Sequence, residues 1–535
     1  MENNSPAAAK PPAQRAVRRR AAALFLVLLT LLGAAPSAAA APAAPPAAVT
    51  PAAVDRYVRD YMARTGLPGA VVAVTKGDRI IRTAGYGHTA GGARLTARSR
   101  VPVASVSKSF TALAVLQLAD AGRVDLDAPV RRYLPEFRLD DERARRITTR
   151  QLLNQTSGME DSTYPDMAVD QPHTLRGAVA AMRHSGLATA PGTRMRYHNS
   201  NFVVAARLVE VVSGQPFADY LTDHVFRPLG MRHTRTVDST TDMPERARGH
   251  VRAYGTTVAL PHPRLFVAGS FGVVTTADDL ARWLMMQNSG GLAADGRRIV
   301  SARAVAAMHT PGKAAEHTDY GMGWWLRKEP GRATEIQHNG QLFTQTAIQT
   351  LLPGSGYGIA VVGNTGFLSG EDSGIIARGL SDLAQGRQPT DEEPFTMTAD
   401  LVLAALTLLV LGLGTLGVVR SRRWARRAAA RPWWRPALRL LPYAAPLALC
   451  LFLSDLVGWS MRRAGPFWQV AYAWPALTVW VVASALAAAT VVLVRVVRTV
   501  AARRAAGGGR TDGGRDAGVS GAAAPGRSTA PAGSS

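Results

Sequence analysis

The sequence predicts an α+β protein in which one sheet is built from the two ends of a soluble region, with a helical insertion between them and three membrane-spanning helices after it. Three observations predict this. Strand-like runs broken by turn residues occur at 69–86 and again at 347–362, runs of helical period lie between them, and three long apolar segments follow. The chain has 535 residues, 47% of them hydrophobic and 19% charged, so it is too long for one core and too apolar to be disordered as a whole.

At the start, Arg15, Arg18, Arg19 and Arg20 precede an apolar run from Ala21 to Ala35 and the small residues Ala38 to Ala41. A basic segment, a short apolar core and a small-residue site form the layout of a secretory signal peptide, so 1–41 is expected to direct export; an uncleaved anchor helix is the alternative. The Pro-rich stretch 42–53 reads as a linker to a soluble region over 54–386.

Within that region Val54 to Arg64 reads as a helix. Gly69 to Tyr86 (GAVVAVTKGDRIIRTAGY) is two β-rich runs around Lys76-Gly77-Asp78, a hairpin. Ser107 to Ala121 has apolar residues at helical spacing and stops at Gly122, which places a helix start just after Ser105. Leu152 to Thr156, Asn201 to Val212 and Phe217 to Phe226 read as further helices. Ala347 to Leu352 and Tyr357 to Val362 read as strands around the turn Pro353-Gly354-Ser355-Gly356.

A second linker, 387–400, leads to apolar segments at 401–419, 440–459 and 467–494. The first, at 1.5 Å per residue, covers about 28 Å, enough for the hydrocarbon layer. The formal charge of +24 is distributed as +4 over 1–40, +7 over 41–395 and +13 over 396–535, and its pattern is that of a membrane protein rather than of a nucleic-acid binder. Arg420 to Arg439 holds eight Arg and no acid, whereas the next connector has only Arg462 and Arg463. Positive loops stay in the cytoplasm, so the soluble region is expected outside, with the basic tail 495–535 inside and disordered. The bilayer is therefore an expected partner, and nucleic acid is not. Asp455, within the second segment, is a functional candidate by its depth, the plainer reading being a pairing with a neighbouring helix. The single Cys, Cys450, rules out an intrachain disulfide and a Cys-based zinc or iron–sulfur site.

Three motifs carry chemistry. Ser105-Val106-Ser107-Lys108 is the only S-x-x-K in the chain; at a helix start residues three apart share a face, so the Lys108 amine reaches the Ser105 hydroxyl. A serine needs a base beside it, and burial together with the positive end of a helix dipole favours a neutral lysine. Tyr197-His198-Asn199 supplies a phenol able to exchange a proton and an amide able to bind both lysine and substrate. His338-Asn339-Gly340, followed by Gln341, suits an edge strand lining a cleft: an imidazole contact, a close approach at Gly340, and a Gln341 N–H that pairs with the Ser105 N–H as an oxyanion hole. Taken singly, these motifs also read as a helix cap, a turn before a helix and ordinary turn chemistry.

Together, in this order, they resemble the serine beta-lactamase and penicillin-binding protein superfamily, most closely the class C beta-lactamase-related serine hydrolases. The runs ITTRQLLNQTSGM (147–159), MRYHNSNFVVAARLVEVVSG (195–214), FRPLGM (226–231), GSFGVVTTADDLARWL (269–284) and YGMGWW (320–325) are similar to that family too. The resemblance covers roughly 50–385. It implies an antiparallel sheet flanked by helices, an all-helical subdomain and a cleft between them. It also implies Ser105 as acyl nucleophile, Lys108 as its base or proton relay, Tyr197 as proton shuttle, and Asn199, His338, Gly340 and Gln341 as substrate-binding positions, with no cofactor and no metal. The beta-lactamases carry a lysine where this chain has His338. A mostly neutral imidazole offers a substrate carboxylate no permanent cation, which turns the expectation from beta-lactam turnover toward esters, D-amino-acid peptides or peptidoglycan-related amides. A beta-lactamase, or a penicillin-binding sensor of the cell wall without efficient turnover, is the competing expectation.

Overall fold

The computed structural model describes residues 49–314, 316–366, 371–463 and 465–508. The expected signal peptide and nearly all of the tail lie outside the described residues.

The first helix, α1 (Pro51–Thr65), starts where Thr50 accepts a bond from the Ala53 N–H and ends at Gly66, whose φ of +64° a residue without Cβ adopts freely. The hairpin β1 (Gly69–Lys76) and β2 (Arg79–Gly87) follows, then β3 (Val101–Pro102). The helical insertion contains α2 (Ser107–Asp120), α3 (Thr149–Leu153), α4 (Leu175–Ala181), α5 (Ser200–Ser213) and α6 (Phe217–Leu221). The helix expected over 152–156 lies earlier because Thr148 and Gln151 form a capping box that starts α3 at Thr149. The one expected over 217–226 is α6 plus one wider turn at Thr222–Phe226. Next come β4 (Arg235–Thr236), β5 (Gly249–Ala253), β6 (Thr256–Leu260), β7 (Val273–Thr275), α7 (Ala277–Asn288) and α8 (Ala302–Met308). Strands β8 (Trp325–Arg327), β9 (Glu335–Gln341), β10 (Thr346–Leu352) and β11 (Tyr357–Gly363), then α9 (Asp372–Ala384), complete the domain.

The main sheet is antiparallel throughout, in the order β2-β1-β11-β10-β9-β8, so strands from both chain ends meet at its centre, where Val72 pairs with Val361. Side chains of β1 alternate between two cores. Val71 and Ala73 join the large core under the helical insertion, while Ala70, Val72 and Val74 pack with α1 and α9 on the other face. Strand β8 pairs with β9 only from Glu335 to Gln337, which leaves the end of β9, from His338 to Gln341, without a strand partner on that edge among the described residues.

Among the described residues, three helices beyond the domain are long and apolar enough to cross a membrane. They are α10 (Phe395–Val419), the stretch Trp434–Met461 and the stretch Pro475–Ala506. Between the first two, Ser421–Ala429 forms α11. The second stretch comprises α12 (Trp434–Leu440) and α13 (Ala444–Met461). The run 467–494, expected as one span, is two helices, α14 (Phe467–Ala473) and α15 (Pro475–Gly508), because Pro475 has no N–H to continue the ladder and Trp474 leaves helical geometry at ψ 82°. Arg498 and Arg503 of α15 donate to the Val418 and Arg431 carbonyls, which gathers the basic residues at one end of the bundle. At the other end Asp400 accepts bonds from the Tyr254 N–H of the domain (2.9 Å) and from the Trp474 indole (2.8 Å).

Candidate active site

The site is assembled where α2, α5, β7 and β9 meet. Ser105 sits on a single turn before α2, and Ala104 ahead of it holds a φ of +47°, a strained value for a residue with a Cβ. Ser107 fastens that turn: its hydroxyl donates to the Ala104 carbonyl at 2.6 Å and accepts the Val273 N–H of β7 at 2.9 Å. The S-x-x-K spacing marked positions 105 and 108, but Ser107, inside the motif, is what anchors the strained turn.

Lys108 is fully buried, and its Nζ lies 3.0 Å from Ser105 Oγ, 2.9 Å from Asn199 Oδ1 and 3.0 Å from the Ser270 carbonyl. Burial first, and then the Arg463 guanidinium, drive its pKa well below the ordinary lysine value, against the opposing pull of Asp166. A neutral amine fits these partners. It donates to the two fixed acceptors and turns its lone pair on the Ser105 hydroxyl.

Tyr197 hydrogen-bonds to Ser105, and its ring lies under Lys108 with the nitrogen 5.0 Å from the ring centre. Burial pushes the phenol up to about 12, although the bond to Ser105 and the nearby Arg463 pull it down. The two groups flanking the serine are thus pushed apart, the amine toward base and the phenol toward acid. Asn199 precedes α5, and its N–H donates to Asp166 Oδ2 at 3.1 Å. The intervening His198 is buried, with Nε2 2.9 Å from the Tyr164 carbonyl and 3.4 and 3.6 Å from Asp161 and Asp166. This cluster holds the Tyr197-His198-Asn199 turn in place.

His338 departs from the expected position. It does not line the cleft; it is fully buried, with Nε2 3.1 Å from the Tyr320 hydroxyl and Nδ1 2.6 Å from the Asn339 carbonyl. Burial first, and then Lys108 whenever it carries a proton, push the imidazole down to about 3, so it is neutral and gives a substrate anion no cation. Strand alternation explains the placement. Residues 338 and 340 point inward, while Asn339 and Gln341 are exposed on the cleft side, where both line the cavity above Ser105.

Gly340 makes the expected close approach. A Cβ there would stand 2.3 Å from the Val103 carbonyl oxygen and 3.0 Å from Ser105 N. Gly340→Ala must therefore displace the nucleophile's turn or the strand edge, and we expect acylation of Ser105 to slow by about 10²-fold, measured as the rate of covalent adduct formation. An unchanged rate would show that the turn is not held by this contact.

The structure thus brings Ser105, Lys108, Tyr197, Asn199, Gly340 and Gln341 together and leaves His338 beneath them. Residue-by-residue reading missed Ser107, Asp166, Tyr320 and Arg463. Arg463 had drawn notice as one of the two positive charges in the second connector, Ser107 as an inner residue of the S-x-x-K motif and Tyr320 as the start of the run YGMGWW, none of them with a role in the site.

The family model described as Beta-lactamase matches residues 54–397. Penicillin-binding protein 4 of Amycolatopsis lactamdurans is 31% identical over 338 residues, which is 60% of this chain and 87% of that protein. Protein flp of Staphylococcus aureus strain MW2 is 26% identical over 317 residues; the match takes 58% of this chain and 62% of flp's length. Among solved structures, the octameric penicillin-binding protein homologue from Pyrococcus abyssi superposes with a TM-score of 0.53 at 23% identity, over 66% of this chain and 80% of that one. EstCE1, a hydrolase with promiscuous acyltransferase activity, gives 0.51 at 19% identity, over 62% and 98%. At these identities the two structures establish the shared fold and nothing finer.

Proposed function

The chain belongs to the beta-lactamase family, and from that premise we propose that it is a membrane-anchored serine hydrolase, its domain outside the cytoplasm, acting through an acyl-enzyme on an ester or amide. The observation that carries the chemistry is the buried amine of Lys108, 3.0 Å from Ser105 Oγ, with Tyr197 bonded to the same hydroxyl. Three apolar helices, the Arg-rich connector and the signal-like N-terminus support the anchoring and the sidedness.

In the first half-reaction Ser105 Oγ attacks the substrate carbonyl while Lys108 Nζ takes the hydroxyl proton. The Ser105 and Gln341 N–H groups receive the developing oxyanion. Collapse of the intermediate breaks the bond to the leaving group, which takes a proton from Tyr197, the flanking group held in its acid form. In deacylation the Tyr197 phenolate takes a proton from water, the resulting hydroxide adds to the acyl carbonyl, and collapse releases the acid while Ser105 Oγ takes back its proton from Lys108, so all three groups regain their starting states. With His338 neutral and buried, and with the Arg463 guanidinium on the cavity wall already paired with Asp166, uncharged polar groups such as Asn199, Asn339, Gln341, Ser454 and Gln469 are left to orient the substrate. That favours an ester, a D-amino-acid peptide or a peptidoglycan-related amide over a ligand recognised by its carboxylate.

The test is intact mass and product release for the full chain in detergent, offered benzylpenicillin and an activated ester in parallel, beside Ser105→Ala. The name of the Amycolatopsis relative motivates the first probe. An adduct or turnover with either compound that disappears in Ser105→Ala supports the reading, and the adduct's lifetime separates a turnover enzyme from a penicillin-binding sensor. Reaction with neither, or reaction retained in Ser105→Ala, overturns it.

A further inference from the structure

The cavity that opens on Ser105 is not walled by the hydrolase domain alone. It measures about 360 Å³, and one side is formed by the domain's Leu265, Phe271, Leu342 and Phe343, the other by Val457 and Met461 of α13 and Val470 and Ala473 of α14. Ser105, Tyr197 and Asn199 face this same space. A cavity of this size with a mainly apolar lining and a few polar groups at one end has the character of a small-molecule site.

The contribution from the membrane segments is docked rather than trailing. Arg463, between α13 and α14, pairs with Asp166 at 3.3 Å, and Asp166 in turn accepts the Asn199 N–H. Gln469 of α14 donates to the Met167 carbonyl at 3.0 Å, and the Tyr472 hydroxyl donates to the Pro261 carbonyl at 3.2 Å. Phe343 of the domain packs edge-on against Trp468 and Tyr472, with ring centres 5.5 and 5.9 Å apart. The break at Trp474-Pro475 lets α14 lie against the domain while α15 runs on as a membrane-length helix. A tether needs one helix and none of these bonds.

We propose, resting on the serine hydrolase reading above, that the substrate is an amphiphile whose scissile carbonyl sits at Ser105 and whose apolar chain lies between the domain and α13–α14. The membrane segments are then a specificity element, and the Arg463–Asp166 pair positions them. Their apolar lining continues from the nucleophile onto a helix of membrane length, so a chain can enter the site without leaving an apolar environment. The leaving group or acyl head stays with Asn199, Asn339 and Gln341 at the polar end. Asp455, which depth alone had marked as a candidate, is exposed on α13, whereas its neighbour Ser454 lines the cavity.

The experiment uses the full chain in lipid nanodiscs and compares kcat/KM for p-nitrophenyl decanoate with that for p-nitrophenyl acetate. The wild type is expected to favour the decanoate at least tenfold. Val457→Trp and Ala473→Leu fill the cavity from the membrane side and should each lower that ratio at least tenfold. Leu451→Trp, on the exposed face of α13, controls for partitioning into the disc and should leave the ratio alone. A ratio that survives both cavity-filling variants with Tm retained, or falls equally in the control, overturns the proposal, as does a wild type that prefers acetate. Ser105→Ala separates the two levels: if it still hydrolyses either ester, the serine reading has failed, whereas Ser105-dependent hydrolysis without chain preference defeats only the amphiphile.

Discussion

Ser105→Ala, Lys108→Ala and the double variant are each expected to lose at least about 10⁴-fold in kcat on an activated ester, with the double no worse than the worse single, because nucleophile and base act as one unit. The geometry requires this coupling. Lys108 Nζ is within hydrogen-bond distance of Ser105 Oγ, and its two other partners, Asn199 Oδ1 and the Ser270 carbonyl, are acceptors it must serve in either protonation state. Lys108→Arg separates a base from a fixed cation: it keeps the charge, cannot lose its proton, and should be as inactive as the alanine variant. The pH profile follows from the same environment. Lys108 has its pKa driven down by burial, and only the neutral amine takes the serine proton, so kcat/KM rises with pH through that lowered value rather than through the ordinary lysine range. The alkaline limb belongs to Tyr197, held up at about 12, and should not appear below the pH at which the protein itself fails. A profile that climbs only near the ordinary lysine pKa, or an active Lys108→Arg variant, would remove Lys108 from the role of base.

What could be read from the sequence follows how local each interaction is. Ser105 and Lys108 are three residues apart on one helical turn, so their contact is set by helix geometry and survives any error elsewhere. The β1–β2 and β10–β11 hairpins were legible because Gly and Pro break two runs of β-rich residues. That the two hairpins join at the centre of one sheet is a pairing across almost the whole domain, and only the arrangement of elements suggested it. His338 was misplaced although the means to place it were at hand. Once Gly340 is required to pack against the nucleophile's turn, the two-residue period of a strand sends His338 to the same inward face and leaves Asn339 and Gln341 in the cleft. The break in the third apolar segment was hidden for a different reason: no charged residue interrupts the run through Trp474 and Pro475, and the missing proline N–H divides it. Asp166, Tyr320 and Arg463 reach the site from distant parts of the chain, and no spacing rule connects them to Ser105.

The largest effect on stability is expected far from the nucleophile, at Asp372. Its carboxylate is fully buried at the first turn of α9 and accepts hydrogen bonds from the Tyr61 hydroxyl at 2.8 Å, from the Thr365 hydroxyl, and from Arg252 at 3.2 and 3.3 Å. Arg252 is also fully buried, and it donates to the Thr65 carbonyl at the end of α1. One carboxylate therefore joins α1, β5 and α9 behind the main sheet. Asp372→Ala leaves a guanidinium with no counter-charge in a site closed to water, and we expect a loss of about 3–5 kcal/mol, seen as a fall in Tm on the order of 10 °C. Arg252→Met leaves the opposite charge stranded and should cost a similar amount. Combining Arg252→Met with Asp372→Leu removes both charges and fills the space with apolar atoms, so the double variant is expected to be more stable than either single. Strict additivity of the Asp372→Leu and Arg252→Met losses in that double variant, each single measured beside it by thermal or urea unfolding of the full chain in detergent, would show that the pair is not coupled. Because Asp372 lies behind the sheet and touches none of the groups around Ser105, the folded fraction of each variant should keep the wild-type kcat at temperatures below its own Tm. A protein that loses activity in step with its folded fraction is losing its scaffold, and one that loses kcat while still folded would place this ion pair in the line of contacts that holds β11 and β10 behind the catalytic edge of β9.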